Sequence, residues 1–313
     1  MENLLTKIEP DKEISSENLA DISKSSFAHF YFGIFALGIH RVDGAFAFGK
    51  HLVEWSYRLQ RYAKTATVSA RYHVKTTTAL AKLAWHIYRM DLEGLFNEWN
   101  FMSYKEDLAG HHLKRAKRYI AAIPEYFSDC HSLTTAETIL HYEKNGCEFV
   151  CEPIGVMSFK RGLHPRGLIC DDILKDPEVK LDIAQLLKIE QIFREQIMSM
   201  PMKELHVFGT PQDEADLFSY LERTPTFNCK RYLAEVNSAK KIALWPEYWP
   251  WERLMQQKED IGEKAYNKEF LCSPARSEDG YFTSLEIDEI IGIHYKNYGL
   301  KKSEDQWLLL RRS

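Results

Sequence analysis

Short apolar runs alternate with longer stretches of helical pattern through the middle of the chain. The apolar runs predict strands near residues 65–69, 167–171 and 205–209, and Phe96, Trp99 and Phe101 predict a further strand near 96–103. The stretches after these runs predict helices over residues 76–90, 105–122, 181–200 and 213–221. Strands that alternate with helices are typical of a mostly parallel sheet, and right-handed crossovers cover both of its faces with helices. We therefore expect an α/β fold with a mostly parallel central sheet flanked by helices.

Other segments complete this outline. Residues 27–62 are aromatic and helical in pattern, and residues 251–268 carry apolar positions at helical spacing. Apolar runs flank Asn145-Gly146, a dipeptide typical of a hairpin turn. The sequence becomes polar after Pro274, where we expect a linker.

The loop between the first predicted strand and its helix carries the strongest candidate chemistry. Lys75 and Thr76 end the segment 69–76, where a phosphate-binding loop would lie. In such a loop, backbone N–H groups and a helix N-terminus face the phosphates, the lysine reaches the β- and γ-phosphate oxygens, and the threonine hydroxyl binds Mg²⁺. Ser69 and Val74 replace the two expected glycines. A helix that starts at a threonine cap, with no ligand, is the alternative.

Two adjacent carboxylates end the third predicted strand. Asp171 and Asp172 follow the apolar residues 167–170, and open α/β sheets bind ligands at the carboxyl edge of their strands. In a nucleotide site the first acid would hold Mg²⁺ through water, and the second would orient or deprotonate the attacking water. The pair could instead cap a helix that starts at Ile173.

The fourth predicted strand ends in a hydroxyl residue. Residues 205–209 lead into Thr210, and Pro211 stops further strand pairing. In phosphate-loop ATPases the strand beside the acidic one often ends in a hydroxyl or amide that senses the γ-phosphate. Gly-Thr-Pro also makes an ordinary turn, so the interpretation depends on the order of the three elements.

Composition narrows the class of protein. The chain has 313 residues, of which 45% are hydrophobic and 27% charged, as in ordinary folded domains. It has no apolar run of 18 residues, so we expect no membrane span. The six cysteines form no CxxC pair, which favours free thiols in a reducing cytoplasm. The net charge of −4 does not indicate nucleic-acid binding, and we interpret the basic run 114–118 as a solvated helix face rather than a DNA contact.

Several stretches together resemble the ATPase domain of phage and viral terminase large subunits, the motors that move DNA into capsids. The resemblance covers roughly residues 50–275. The stretches are residues 69–77, 103–109, 158–162 leading into 169–172, 209–217, and 244–250 continuing to 261–262 and 270–272. Their common order makes the likeness specific. It implies a P-loop NTPase of the ASCE type that hydrolyses ATP.

The resemblance also implies roles for individual residues. ATP and Mg²⁺ are the expected cofactors, and Thr76 and Asp171 are the expected ligands of the metal. Asp172, Arg71 and Thr210 are the expected catalytic residues, although Asp172 is one methylene shorter than the more usual glutamate. The nucleotide is expected to contact Ser69, Ala70, Arg71, Tyr72, His73, Val74, Lys75, Thr76 and Thr77.

Three further side chains are expected near the phosphates. Arg71 would neutralise charge on the γ-phosphate within the same subunit, or else tie down a neighbouring strand. Arg161 is a weaker candidate for the same charge. His73 shapes the turn of the loop, and we assign no proton chemistry to it.

The implied partners are those of a virus-encoded packaging motor in the host cytoplasm. They are double-stranded DNA, a portal protein, a small terminase subunit and further copies of the chain in a ring on the portal. We expect a helical arm or lid over residues 1–50, the ATPase core over 51–274 and a linker over 275–313. Few residues follow Pro274, so we expect neither a nuclease domain nor nuclease activity.

Two other functions stay open on the sequence alone. A helicase-like, DNA-dependent ATPase of the same broad fold would separate strands. A non-catalytic assembly protein would keep the fold but lose turnover through Ser69 and Val74. Measuring ATP hydrolysis with and without double-stranded DNA distinguishes the three functions.

Overall fold

The strands form a central sheet and a separate short pair in the computed structural model, which describes residues 16–159, 162, 164–175, 180–214 and 216–274. The strands of the sheet are β1 (Lys64–Ser69), β2 (Phe96–Ser103), β3 (His131–Ser132), β4 (Leu140–Lys144), β5 (Cys147–Gly155), β6 (Gly167–Asp171), β7 (Glu204–Gly209) and β8 (Asn228–Tyr232). The short antiparallel pair consists of β9 (Glu235–Asn237) and β10 (Ile242–Ala243).

The order of strands across the sheet is β3-β4-β5-β2-β6-β7-β1-β8. From β5 to β8 neighbouring strands run parallel, whereas β4 is antiparallel to both β5 and β3. The expected mostly parallel sheet is confirmed. Because β6, β7 and β1 are adjacent, their carboxyl ends lie side by side, at the edge where open α/β sheets bind ligands.

Helices cover the sheet, and one follows each of the four predicted strands. They are α1 (Ser16–Ser25), α2 (Phe27–His29), α3 (Ala36–Asp43), α4 (Lys50–Arg61), α5 (Lys75–Tyr88), α6 (Glu106–Ala121), α7 (Ile183–Ile192), α8 (Leu217–Glu222), α9 (Trp251–Ile261) and α10 (Glu263–Glu269). The π-helical segments Phe30–Phe35 and Phe193–Ile197 continue α2 and α7. No helix in the described part of the chain is long and apolar enough to cross a membrane.

Two helices differ most from their predicted bounds, each for a local reason. The helix predicted over 213–221 begins only at Leu217, because the Asp216 side chain caps it by accepting a hydrogen bond from the Phe218 N–H. The helix predicted over 251–268 is interrupted at Gly262. Gly262 has a φ of 77°, which glycine adopts easily but which lies outside the right-handed helical region. Therefore α9 ends at this residue and α10 begins after it.

The two faces of the sheet pack into separate cores. Phe101 of β2 and Ile169 of β6 belong to a core with α5, α6 and the aromatic segment around Phe30. The next residues on the same strands, Met102 and Cys170, belong to a second core with α7 and α8. Both faces are therefore buried, as expected for a parallel sheet covered by helices.

Two smaller expectations are also met. Asn145 and Gly146, with φ values of 53° and 76°, join the antiparallel strands β4 and β5, which confirms the predicted hairpin. The six cysteines are free thiols.

Candidate functional site

A cleft of about 680 Å³ opens at the carboxyl ends of β1, β6 and β7. Predicted site residues that line it are Arg71, Tyr72, His73, Val74, Lys75, Thr76, Thr77, Asp172 and Thr210. The remaining predicted residues, Ser69, Ala70 and Asp171, are buried at the ends of β1 and β6. The fold therefore brings these twelve predicted site residues to one edge of the sheet.

The loop between β1 and α5 contains two left-handed residues. Tyr72 has a φ of 62°, and Val74, the residue before α5, has φ 55° and ψ 31°. An L-residue in this region costs roughly 1–2 kcal/mol, and a β-branched side chain there is rare. Val74 stands where a glycine was expected, so the loop adopts its shape at the expense of backbone strain.

Contacts on both sides hold this strained loop. The Ala70 N–H donates to the Tyr232 carbonyl of β8 at 3.1 Å, and the Arg71 N–H donates to the Glu269 carbonyl of α10 at 2.8 Å. His73 is fully buried, and its Nδ1 lies 2.8 Å from the Arg71 carbonyl. Burial lowers the pKa of His73 to about 3, so the ring is neutral near pH 7 and donates to that carbonyl. His73 thereby closes the turn.

Lys75 ties the loop to the end of β7. Its Nζ donates to the carbonyl oxygens of Ser69 and Ala70 at 2.9 and 3.0 Å, and to Oγ1 of Thr210 at 3.1 Å. The Thr210 hydroxyl donates in turn to the Ser69 carbonyl at 2.9 Å. No side chain caps the start of α5, so its first N–H groups are open to an anion.

Thr76, which lines the cleft, and the buried Asp171 bring two oxygen groups together. Thr76 Oγ1 donates to Asp171 Oδ2 at 2.6 Å, whereas Asp171 Oδ1 has no partner among the described residues although it is buried. Burial, and then the charge of Asp172, raises the pKa of Asp171 well above its ordinary value, against the opposing effects of Thr76 and Lys75. Carboxylate and hydroxyl oxygens are ligands that suit Mg²⁺.

Asp172 leaves the strand and turns toward the cleft. Its φ of 49° ends β6, while its N–H donates to the Phe208 carbonyl of β7 at 3.0 Å. The side chain is half-buried and lines the cleft. The left-handed conformation separates Asp172 from Asp171, which stays in the strand, so the two carboxylates can serve different ligands.

Arg71 is tied to a helix rather than to a neighbouring strand. Its Nη1 lies 3.8 Å from Glu269 Oε2 of α10, and its guanidinium lies over the Tyr72 ring. Lys175 also lines the cleft, with its Nζ 2.9 Å from the same carboxylate oxygen. Glu269 therefore holds two cations beside the site. The other arginine candidate, Arg161, lies outside the described residues.

The basic run 114–118 is not a uniformly solvated face. Lys114 pairs with Glu137, and Lys117 donates to two backbone carbonyls. Arg115 lines the cleft, and its Nη2 donates to Asp43 Oδ2 at 2.6 Å. The sequence offered no signal for this position, because Asp43 belongs to a distant helix and only the packing of α3 against α6 brings the two together.

Comparison with known proteins gives matches in structure but not in sequence. No protein-family model and no curated protein matches the chain. The HK97 bacteriophage large terminase superposes with a TM-score of 0.57 at 15% identity, over 80% of this chain and 55% of that one. A point mutant of the ATPase domain of the Thermus phage P74-26 large terminase superposes with a TM-score of 0.50 at 9% identity, over 71% of this chain and 92% of that one.

A third similar structure was solved in complex with ADP. It is the large terminase of a thermophilic bacteriophage, with a TM-score of 0.50 and 11% identity over 72% of this chain and 53% of that one. The chain thus spans about half the length of two of these terminases. At such low identities the likeness establishes architecture, and it confirms the expected P-loop fold. The chain has the fold of the ATPase domain of bacteriophage large terminases.

Proposed function

We propose that the chain is the ATPase motor of viral DNA packaging, which hydrolyses ATP to move double-stranded DNA into a procapsid. The observation that supports this best is the meeting of Lys75, Thr76, Asp171 and Thr210 at one sheet edge, on the fold of a terminase ATPase domain. These residues come from α5, β6 and the end of β7, which is the distribution that phosphoryl transfer in a phosphate-loop enzyme requires.

ATP would bind with its phosphates against the uncapped N-terminus of α5. Lys75 would then turn its ammonium from the loop carbonyls to the β- and γ-phosphate oxygens. Arg71 and Lys175 line the same cleft and would add positive charge near the γ-phosphate. A polyphosphate carries several negative charges, so a cleft with this many cations suits it.

The residues present also fit a magnesium ion. Thr76 and Asp171 would hold it, since both present oxygen donors and Asp171 Oδ1 is buried with no partner in the described chain. When bound, the ion supplies charge neutralisation to the β- and γ-phosphates.

Asp172 and Thr210 would act on the reaction itself. Asp172 faces the cleft from the end of β6 and would orient or deprotonate the attacking water. Thr210 bonds both Lys75 and the Ser69 carbonyl, so a change at the lysine would reach the end of β7. Through this link Thr210 would couple hydrolysis to movement.

The proposed partners are double-stranded DNA, a portal protein, a small terminase subunit and further copies of the chain in a ring, in the host cytoplasm. The likeness in fold to terminase domains supports this assembly. The formal net charge of −4 favours weak intrinsic affinity for DNA. We therefore expect the chain to be mainly monomeric in dilute solution, with a weak ATPase activity that rises when it binds DNA or a portal.

ATP hydrolysis measured with and without double-stranded DNA tests the proposal. Lys75→Ala and Asp171→Asn should each lower kcat/KM about a hundredfold or more. The first removes the positive charge that would face the phosphates, and the second removes the negative charge that would face the metal. Lys188→Ala, which alters an exposed lysine on α7, is the matched control and should behave as wild type. DNA should stimulate the wild-type rate.

Other outcomes would favour the alternative functions. If calorimetry detects no nucleotide binding at millimolar ATP, the chain is better explained as a non-catalytic assembly protein. If ATP hydrolysis drives strand separation of a duplex, the helicase-like function is favoured instead.

A further inference from the structure

Ser103 ends β2 as a fully buried serine whose hydroxyl has no hydrogen-bond partner within the described residues. Buried hydroxyl groups are almost always hydrogen-bonded, because an unpaired one loses its hydration without compensation. If the position required only a small side chain, alanine would meet that requirement without an unpaired group. The Ser103 hydroxyl therefore has open hydrogen-bonding capacity, and its position in the fold decides what can fill it.

Ser103 lies beside Asp171 on the adjacent strand. β2 and β6 are parallel, and their register aligns Phe101 with Ile169, two residues before Ser103 and Asp171 respectively. Side chains two residues apart on a strand share a face. Phe101 and Ile169 belong to the same core under α5 and α6. Ser103 and Asp171 are therefore neighbours at the carboxyl edge, on the face that α5 covers.

Asp171 has an unused oxygen at this position. Its Oδ2 accepts the hydrogen bond from Thr76 of α5, but its Oδ1 is buried and unpaired in the described chain, as is Ser103 Oγ. The two unpaired atoms are thus not bonded to each other. Two buried polar atoms with open hydrogen-bonding capacity thus lie on adjacent strands, next to the Thr76–Asp171 pair that suits a magnesium ion.

We propose that Ser103 is a positioning residue for this ion, with its hydroxyl hydrogen-bonded to a water molecule of the Mg²⁺ hydration shell beside Asp171. The inference rests on the proposed function, since it requires the ion of the ATP site. Mg²⁺ keeps several of its waters when one or two carboxylates bind it. A serine hydroxyl both donates and accepts, so it suits such a water.

Another unpaired group lies near the same edge. His112 of α6 packs against Phe101 with ring centroids 6.0 Å apart, and its Nδ1 is buried with no partner among the described residues. Burial lowers the pKa of His112 to about 4, partly offset by the charge of Asp172. The neutral ring therefore offers a further hydrogen-bonding atom near Asp172, and it carries no positive charge that would repel a cation.

Binding of Mn²⁺ in the presence of ADP, measured by electron paramagnetic resonance, tests the inference without relying on turnover. Ser103→Ala should weaken Mn²⁺ affinity about tenfold, the usual effect of removing a group that orients a metal ligand. The affinity of the Ser103→Ala variant for ADP, measured in EDTA without a metal ion, should equal that of the wild type. Ser103→Thr keeps the hydroxyl and should bind Mn²⁺ nearly as tightly as wild type.

Ser23→Ala is the matched control. Ser23 is also a fully buried serine with an unpaired hydroxyl, but it lies on α1, where its carbonyl accepts from Trp85 toward the far end of α5. This variant should bind Mn²⁺ like wild type. Thermal denaturation of each variant checks that it is folded.

The outcomes separate this inference from the proposed function. If Ser103→Ala binds Mn²⁺ with ADP as tightly as wild type, the inference is wrong while the proposed function stands. An equal loss of affinity in Ser103→Thr or in Ser23→Ala also overturns it, because the effect would not belong to the Ser103 hydroxyl. A wild-type protein that binds neither Mn²⁺ nor ADP overturns the proposed function, and the inference with it.

Discussion

The Thr76 hydroxyl donates a 2.6 Å hydrogen bond to Oδ2 of Asp171, a residue 95 positions further along the chain. The bond joins the first turn of α5 to the last residue of β6. Because a buried carboxylate is unfavourable unless it is paired, the bond stabilises Asp171 and also sets two oxygen donors side by side.

Thr76→Val should destabilise the protein, because Oδ2 of the buried Asp171 loses the hydroxyl that donates to it. We expect the free energy of unfolding to fall by about 1–3 kcal/mol, measured by urea denaturation. Thr76→Ser keeps the hydroxyl and serves as the control. If the valine variant is as stable as wild type, the Thr76–Asp171 bond is not important to the fold.

Asp172→Asn should block hydrolysis while nucleotide still binds. The amide cannot accept a proton, and loss of a general base typically lowers kcat by about 10²–10⁴. Asparagine also tolerates the left-handed backbone of this residue, so the loop should keep its shape. ADP affinity by calorimetry and single-turnover ATP cleavage separate the two effects.

Asp182→Asn is the control for this substitution, since asparagine can replace the N-cap that Asp182 provides to α7. It should leave turnover unchanged. A parallel loss of binding and turnover in Asp172→Asn would instead assign Asp172 to metal binding or structure.

Val74→Gly should be more stable than Val74→Ala. Both variants lose the contacts of the valine side chain, but only glycine relieves the left-handed strain at φ 55°. We expect a difference in unfolding free energy of about 1 kcal/mol in favour of glycine, measured by chemical denaturation of the two variants side by side. Equal stability, or a more stable alanine variant, would argue against backbone strain at this position.

Glu204 connects stability to pH at the opposite edge of the sheet. Its Oε2 lies 2.8 Å from Lys82 Nζ and 3.0 Å from His206 Nε2. Burial alone would raise the pKa of Glu204, but Lys82, and then His86 and His206, hold it far below its ordinary value. A lowered pKa stabilises the native state above the unfolded value of about 4.3. That contribution is lost as pH falls below this value toward the folded pKa.

Glu204→Gln should therefore destabilise the protein most at neutral pH. We expect a loss of about 3–5 kcal/mol there, because the buried Lys82 is left without its carboxylate. The difference in unfolding free energy between the variant and the wild type should be smaller at about pH 3.5. At that pH the wild-type protein also begins to lose the stabilisation that the Glu204 carboxylate provides. Urea denaturation at both pH values measures this difference.

Glu54→Gln is the matched control, because Glu54 pairs with Lys230 at the surface. Exposed pairs contribute about 0–1 kcal/mol, so this variant should differ little from wild type at either pH. A Glu204→Gln variant that behaves like Glu54→Gln would show that the buried cluster does not stabilise the fold.

Apolar patterning was sufficient to find the central strands. The stretches 96–103 and 167–171 coincide with β2 and β6. Residues 167–170 of β6 are apolar, as expected of a parallel strand buried on both faces. β2 was found from Phe96, Trp99 and Phe101, although polar residues lie between them. Helix ends were harder to predict. The start of α8 at Leu217 depends on the capping side chain of Asp216, and the end of α9 depends on the backbone angle of Gly262. The periodicity of apolar residues predicts neither.

Partners between distant elements could not be predicted. Arg115 belongs to a run that local charge spacing assigned to solvent, yet it donates to Asp43, 72 residues earlier, and both residues line the cleft. Arg71 finds its partner Glu269 on α10 rather than on a strand. Spacing along a helix predicts which side chains share a face, but it says nothing about which element packs against that face.

The sequence by itself determined which residues end the strands of the candidate site. Asp171 ends β6, Thr210 follows β7, and Lys75 begins the helix that follows the loop after β1. Groups at the carboxyl ends of parallel strands must all emerge at one edge of the sheet. Only the tertiary structure decided that β6, β7 and β1 are adjacent and that Ser103 lies beside Asp171. The physical reason is that backbone hydrogen bonds join strands with little regard to their side chains, so strand order is set by the packing of crossover helices on both faces.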